Sequence, residues 1–261
     1  MNMMEIEAAA RTAWPALEEY ELPFGVLRYS RGTDRRSNSL SLHPHAEVEV
    51  GKLVGVLEEF FGNRRAAPIV RIVQGQGVTL EALRDIDTAL EERGYERQAP
   101  TLSMLLDLTS APLVLQQAGT AVGESIDIGS WLPAWYALTD RQLEKLAVHR
   151  ELLQKSVLPQ RCLLSRSGDG CLISSGMAVF AKQTIGIFGI ATAPDYRNQG
   201  HALKIVQSLL KWGMANAAKY AYLQVEESNH AAISLYEKLG FETAYSYWYR
   251  VGRHQGNRNE D

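Results

Sequence analysis

The stretch 184–241 constrains this chain more than any other. It opens on the apolar run Thr184-Ile185-Gly186-Ile187-Phe188-Gly189-Ile190-Ala191-Thr192, which Pro194 closes. Proline has no N–H to give to a ladder, so strand pairing ends there. Arg197-Asn198-Gln199-Gly200-His201-Ala202 follows, and Ala202, Ile205, Val206, Leu209, Leu210 and Gly213 then recur at the spacing of one helix face. A second apolar run covers 220–225. Asn229, a helix-start residue, and Gly240, a helix-stop residue, bracket a last helix before Phe241. The order is strand, glycine turn, helix, strand and helix. It predicts two parallel strands joined by a crossover helix.

The glycine turn has chemical content. The first amides of a helix have no internal partners and carry the positive end of its dipole. A small turn that opens a helix after a buried strand can therefore cradle a phosphate. Arg197 adds a cation beside it. Many strand–helix units carry such a glycine for packing alone, so the turn by itself does not decide between the two readings.

A second motif goes further. Asn229, Ala232, Leu235, Tyr236, Gly240 and Phe241 fill every position of Asn-x-x-Ala-x-x-Leu-Tyr-x-x-x-Gly-Phe. Upstream, Arg197-Asn198-Gln199-Gly200-His201-Ala202 fits Arg/Gln-x-x-Gly-x-Gly/Ala, following Thr192-Ala193-Pro194 where the pattern has Val-x-Pro. With both motifs in this order, the chain resembles the GCN5-related N-acetyltransferases, the GNAT family. The resemblance is strong over roughly the last 80 residues and weaker back to about residue 113. Thr192 replaces the usual Val, at a position where the family uses the strand's backbone.

The resemblance implies an α/β (α+β) fold with a mixed, mostly antiparallel central sheet flanked by helices. It implies acetyl-CoA as cosubstrate and direct attack of a primary amine on the thioester. It assigns cofactor contacts to Ile190, Ala191 and Thr192, to the loop Arg197, Asn198, Gln199, Gly200, His201 and Ala202, and to Asn229, Ala232 and Tyr236. A backbone N–H of Ala191 or Thr192 would hold the oxyanion. Tyr236 would protonate or stabilise the departing thiolate, with a core aromatic as the alternative reading. Asn229 can cap its helix and still offer a free amide edge to the pantetheine arm. The amine must also lose a proton, to a base or to a chain of waters. Run 184–192 carries no carboxylate. Glu226 is preferred over Glu227, because Gln224 and Glu226 share the side opposite Leu223 and Val225; a solvated loop carboxylate is the alternative. The substrate cleft is expected beside Trp131, Trp135 and Tyr136. No spacing of His, Cys or Asp suggests a metal. A CoA-binding sensor or scaffold without chemistry is the second functional reading.

The 261 residues allow one large or two modest domains. The first part reads β, β, α, β, α, β: strands at 22–29, 36–42, 68–73 and 101–108, with helices at 46–61 and 79–93, all preceded by a helix over 3–19. The same order recurs from about residue 160, after helices at 131–138 and 140–154. Leu90-Glu91-Glu92-Arg93-Gly94-Tyr95 falls on Tyr236-Glu237-Lys238-Leu239-Gly240-Phe241 at an offset of 240 − 94 = 146. An internal repeat explains this, and chance likeness of two α/β units is the alternative. The earlier copy has His43-Pro44-His45-Ala46 where a glycine loop belongs, and Leu90 where Tyr236 stands. Tandem acetyltransferases with one degenerate half look like this. The expected division is 1–110, a degenerate GNAT-like half lacking the CoA loop; 111–252, the acetyltransferase half, with a first strand at 113–117 and a linker or substrate loop at 119–129; and a polar tail at 253–261.

A net charge of −3 makes no case for nucleic acid or an acidic membrane, and no apolar run is long enough for a span. The N-terminus lacks the basic and apolar segments of a secretory signal, so a cytoplasmic protein is expected. Cys162 and Cys171 could face each other across a hairpin, or stay as two thiols in a reducing compartment. Oligomeric state and the identity of the amine are not set by the sequence.

Overall fold

The computed structural model of the chain describes residues 1–43, 48–75, 80–110 and 123–253. Its contacts divide into two compact units that interleave along the sequence. The larger holds Met1–Pro15, Ser103–Val225 and Asn229–Thr243; the smaller holds Ala16–Leu102, Glu226–Ser228 and the residues from Ala244 on.

In the larger unit the run 184–192 is strand β9 (Thr184–Thr192), and 220–226 is β10 (Tyr220–Glu226). They pair in parallel from Tyr220↔Thr184 to Leu223↔Ile187, joined by helix α6 (His201–Ala215), as the element order requires. The helical-face residues Ile205, Val206, Leu209 and Leu210 are fully buried on β7–β9. Each such side chain contributes about 1.5–3 kcal/mol over staying exposed. The sheet continues antiparallel through β8 (Leu172–Ala181), β7 (Gln160–Arg166) and the edge strand β6 (Glu124–Ile126). Helices α1 (Met3–Ala13) and α4 (Ile128–Thr139) pack against β8 and β9, and α5 (Leu146–Gln154) packs on α4. Helix α7 (His230–Lys238) follows β10.

The smaller unit orders its strands β1 (Glu18–Leu22), β2 (Gly25–Tyr29), β3 (Leu40–Leu42), β4 (Ile69–Gln74) and β11 (Glu242–Val251), with helices α2 (Val50–Gly62) and α3 (Leu80–Glu92). The β2–β3 hairpin is present, β3 runs parallel to β4, and β11 pairs antiparallel with β4. Strand β5 (Glu96–Asp107) is divided after Leu102 between the two units. Strand β11 is fastened to α3 by side chains. Arg250 grips Asp87 with Nε and Nη2, each at 2.7 Å, and Trp248 Nε1 donates to the same carboxylate at 2.7 Å. Burial alone would raise the Asp87 pKa; the hydrogen bonds from Arg250 and Trp248 outweigh it and hold the carboxyl below its ordinary value.

Three sequence expectations change. The first helix stops at Ala13 instead of reaching 19, because Trp14 precedes Pro15 and leaves the α region; residues 18–22 form β1. The helix expected over 140–154 is broken by Asp140, which caps α4 in the left-handed region, and by a short 3-10 turn at Leu143–Lys145. The last strand of the first half begins earlier than expected, at Glu96. The turn at 44–46, residues 76–77 of the glycine turn, the candidate strand at 113–117, residues 119–122 of the linker and the tail past 253 lie outside the described residues.

The two helix ends aligned by the repeat share their geometry. Arg93, Gly94 and Tyr95 donate to Leu90, Glu91 and Leu90 at 3.2, 2.8 and 3.0 Å. Leu239, Gly240 and Phe241 donate to Tyr236, Glu237 and Tyr236 at 3.0, 2.9 and 3.0 Å. Gly94 and Gly240 both take the left-handed φ of a helix stop, 80° and 90°.

Candidate active site

The parallel register ends at Ile187 and Leu223, but both strands run on, β9 to Thr192. Beyond Ile187, β9 pairs among the described residues with β8 alone, so one edge of its backbone is left without a ladder there. Alternation decides which amides face that edge. Ala193 donates to Ile173 O at 2.8 Å, toward β8. The N–H one residue earlier, on Thr192, therefore points away from β8 to the open side.

Past Pro194 the chain makes a short 3-10 turn and enters α6. Asn198 and Gly200 both sit at left-handed φ, 60° and 79°, a conformation that costs glycine little and asparagine less than most residues. Gln199 Nε2 steadies the loop by donating to Asp195 O at 3.0 Å. Gly200 is the N-cap, no side chain caps the helix, and its first turn holds no acid. The first helical hydrogen bond across the cap runs from Lys204 N to Gly200 O at 3.1 Å. The amides of His201, Ala202 and Leu203 therefore lack partners inside the helix. A Cβ on Gly200 would meet nothing within 4 Å. Arg197 and Lys204 are exposed at this positive helix end, the wrong sign for a helix N-terminus until an anion arrives. An exposed loop of amides without helical partners, open space and two cations can hold an anionic phosphate group.

Asn229 caps α7: its Oδ1 accepts from Ala232 N at 3.2 Å. Its side-chain NH2 has no hydrogen-bond partner among the described residues, and the residue is exposed. Ala232 spends its N–H on that cap. Tyr236 is 6% exposed and packs edge-on against Phe241, with ring centroids 5.9 Å apart. Its hydroxyl has no partner among the described residues, and burial pushes its pKa up to about 12. Glu226 ends β10 as an exposed side chain. His201 lies edge-on to Tyr196 at 5.9 Å, and His230 is exposed at the start of α7.

Trp131, Trp135 and Tyr136 do not line a cleft. They are 0%, 6% and 2% exposed, in a ring cluster with Trp14, His149 and Phe188. Trp14 comes from α1, which nothing local in the sequence ties to α4. The cluster leans on Gly189 of β9. A glycine inside a strand run, as Gly186 and Gly189 are here, is itself a signal of a bulge or a close approach. Among the described residues no group of three His, Cys, Asp or Glu is placed to hold a metal, and no helix is long and apolar enough to cross a membrane. Cys162 and Cys171 are both free thiols, the first buried and the second exposed.

Residues 129–241, which carry the open strand edge, the helix cradle and α7, match the model described as the acetyltransferase (GNAT) family. Over those residues the chain carries a GNAT domain. It is 22% identical over 254 residues, 97% of this chain and 99% of the relative, to a protein named as the uncharacterized N-acetyltransferase YobR of Bacillus subtilis (strain 168). Over 81 residues, 31% of this chain, it is 40% identical to the ribosomal protein bS18 alanine N-acetyltransferase of Escherichia coli (strain K12), of which it spans 53%. The fold matches that of a GCN5-related N-acetyltransferase from Kribbella flavida with a TM-score of 0.66 at 13% identity, covering 98% of this chain and 99% of the other. The GNAT domain and the N-acetyltransferase relatives together support an acyltransferase activity.

Proposed function

We propose that this chain, through its GNAT domain, moves an acetyl group from acetyl-CoA to a primary amine by direct attack. The observation that carries the reading is the uncapped N-terminus of α6, open at Gly200 and flanked by Arg197 and Lys204, directly after a strand whose ladder has stopped. Acetyl-CoA would supply an activated thioester. The amides of 200–202 and the Arg197 side chain would hold its phosphates. Backbone of Ile190, Ala191 and Thr192 would align the pantetheine arm, helped by the free amide edge of Asn229. Of the two oxyanion donors the sequence leaves open, Thr192 is the better placed, since its N–H faces the open edge. Tyr236 would steady the departing sulfur. Glu226, exposed at the end of β10, is the preferred acceptor of the amine proton, directly or through water.

The tandem reading is kept as part of this proposal. The shared helix-end geometry at Leu90–Tyr95 and Tyr236–Phe241 supports two copies of one ancestral unit in 1–110 and 111–252. Leu90 offers no hydroxyl where Tyr236 does, so the first copy is assigned no acetyl-CoA.

A thiol-release assay separates this function from a CoA-binding sensor. Acetyl-CoA would be incubated with the protein and a panel holding small alkylamines, an aminoglycoside, a peptide with a free N-terminus and a lysine peptide. Amine-dependent release above the amine-free rate is expected for at least one class. Calorimetric binding of acetyl-CoA with no amine-dependent release from any class would favour the sensor.

A further inference from the structure

Strand β9 is not regular where it enters the site. Ser175 pairs with Ala191, but Met177 pairs with Phe188, so Gly176 alone faces Gly189 and Ile190. β9 therefore carries one extra residue, a β-bulge, with Gly189 at a left-handed φ of 60°. A one-residue insertion shifts the phase of everything beyond it in the strand. The bulge is thus what turns the Thr192 N–H, rather than that of Ala191, away from β8.

Two side chains grip this bulge. Ser175 Oγ donates to Gly189 O at 2.9 Å. Trp131 presses its ring edge on the glycine: a Cβ there would lie 2.5 Å from Cζ2 and 2.6 Å from Cη2. Trp131 is fully buried and stacks on Trp135, with centroids 5.3 Å apart and planes 12° off parallel. Trp14 braces the pair, meeting Trp135 at 6.3 Å and Phe188 at 5.3 Å. The Trp131 indole N–H is buried without a partner among the described residues. A buried donor left unpaired costs about 1–3 kcal/mol. Phenylalanine would avoid that cost, but it is too short to carry the Cζ2–Cη2 edge to Gly189. Tryptophan stands here despite that cost, and the atoms that distinguish it from phenylalanine are the ones that touch the bulge.

We propose that Trp131 and Ser175 are positioning residues, a clamp that fixes the Gly189 bulge and so aims the Thr192 N–H at the acetyl carbonyl. The proposal rests on the acetyl-CoA function above. Neither side chain touches the reacting atoms; both act through β9.

The test uses acetyl-CoA isotope-labelled at the acetyl carbonyl, bound to the full chain and read by difference infrared spectroscopy. A hydrogen bond to the carbonyl lowers its stretching frequency. The wild-type complex should show that lowering. Trp131→Phe and Ser175→Ala should each move the frequency back toward the free value, with acetyl-CoA affinity changed by less than about threefold. The double variant should move it no further than the more severe single, because both act on one bulge. Ser175→Ala changes a single oxygen and gives the answer if Trp131→Phe does not fold. A wild-type frequency in the folded single variants overturns the proposal, even if their melting points fall. A wild-type protein that does not bind acetyl-CoA at all overturns instead the reading beneath it, and calorimetry shows which of the two has failed.

Discussion

Tyr236→Phe removes one atom, the phenol oxygen, and its consequence can be worked out beforehand. The hydroxyl has no partner among the described residues and the ring keeps its contact with Phe241, so fold and stability should barely change. Burial pushes the phenol up to about 12, so it stays protonated at any pH at which the enzyme would be assayed. A thiol has a reference pKa of about 8.5, so complete proton transfer from this phenol to such a thiolate is uphill by about 3.5 units, or about 5 kcal/mol at 1.36 kcal/mol per unit. Tyr236 is therefore expected to stabilise the leaving sulfur by a hydrogen bond as charge builds, and not to surrender its proton early. A hydrogen bond to a charged group contributes about 1.5–3 kcal/mol, which converts to roughly 10- to 150-fold in rate. Turnover at saturating acetyl-CoA should fall by about that factor, with the calorimetric Kd changed by less than about threefold. The kcat–pH profile should show no limb from Tyr236 below about pH 10. Unchanged kcat, with amine attack shown to limit the rate, would refute the reasoning and leave Tyr236 a packing residue.

Three further outcomes follow from the geometry. Gly189→Ala puts a Cβ into the Trp131 ring and a side chain at left-handed φ; about 1–3 kcal/mol of overpacking and about 1–2 kcal/mol of backbone strain should appear in a denaturant titration, and wild-type stability would contradict the bulge. Asp87→Ala leaves Arg250 buried without its main partner, for a loss of about 3–5 kcal/mol. Because the Asp87 pKa is lowered in the fold, its contribution is present above the ordinary carboxylate value and fades as pH falls through the folded one. The gap between wild type and variant should accordingly narrow below about pH 4, and a gap independent of pH would count against the charged pair. Native protein should react rapidly with a thiol reagent at Cys171 alone, since Cys162 is 2% exposed and burial pushes its thiol up to about 12; two fast thiols would contradict this packing.

What the sequence made legible was local. The run ended by Pro194, the apolar face Ile205–Leu210, the cap Asn229 and the stop Gly240 are each set by a few neighbouring residues, and β9, α6, β10 and α7 appear where those signals place them. Pro15 is an equally local signal, and the first helix ends two residues before it, at Ala13. Strand β1 is harder, since Glu18, Glu19 and Glu21 make an exposed edge with no apolar alternation. The Asp87–Arg250 clamp joins residues 163 positions apart, and no periodicity reports such a pairing. The site divides the same way. The cradle at 197–202 shows in the sequence because the loop and the helix it opens are contiguous. The bulge at Gly189 with Ser175 and Trp131 does not, because it exists only once β8 and β9 are in register. The burial of Trp131 and Trp135 likewise depends on Trp14 arriving from the far end of the chain.

The most direct test is a calorimetric titration of acetyl-CoA into the wild-type chain, Gly200→Ala and Gly200→Glu. Both variants place a side chain at the same left-handed φ, so alanine reports the backbone strain alone. Glutamate adds bulk and negative charge in the open space where the diphosphate is placed. One acetyl-CoA per chain is predicted for wild type, with most of the affinity kept in Gly200→Ala and lost in Gly200→Glu. Equal affinity in the two variants, or two acetyl-CoA molecules bound per wild-type chain, would contradict a single cofactor site at the start of α6.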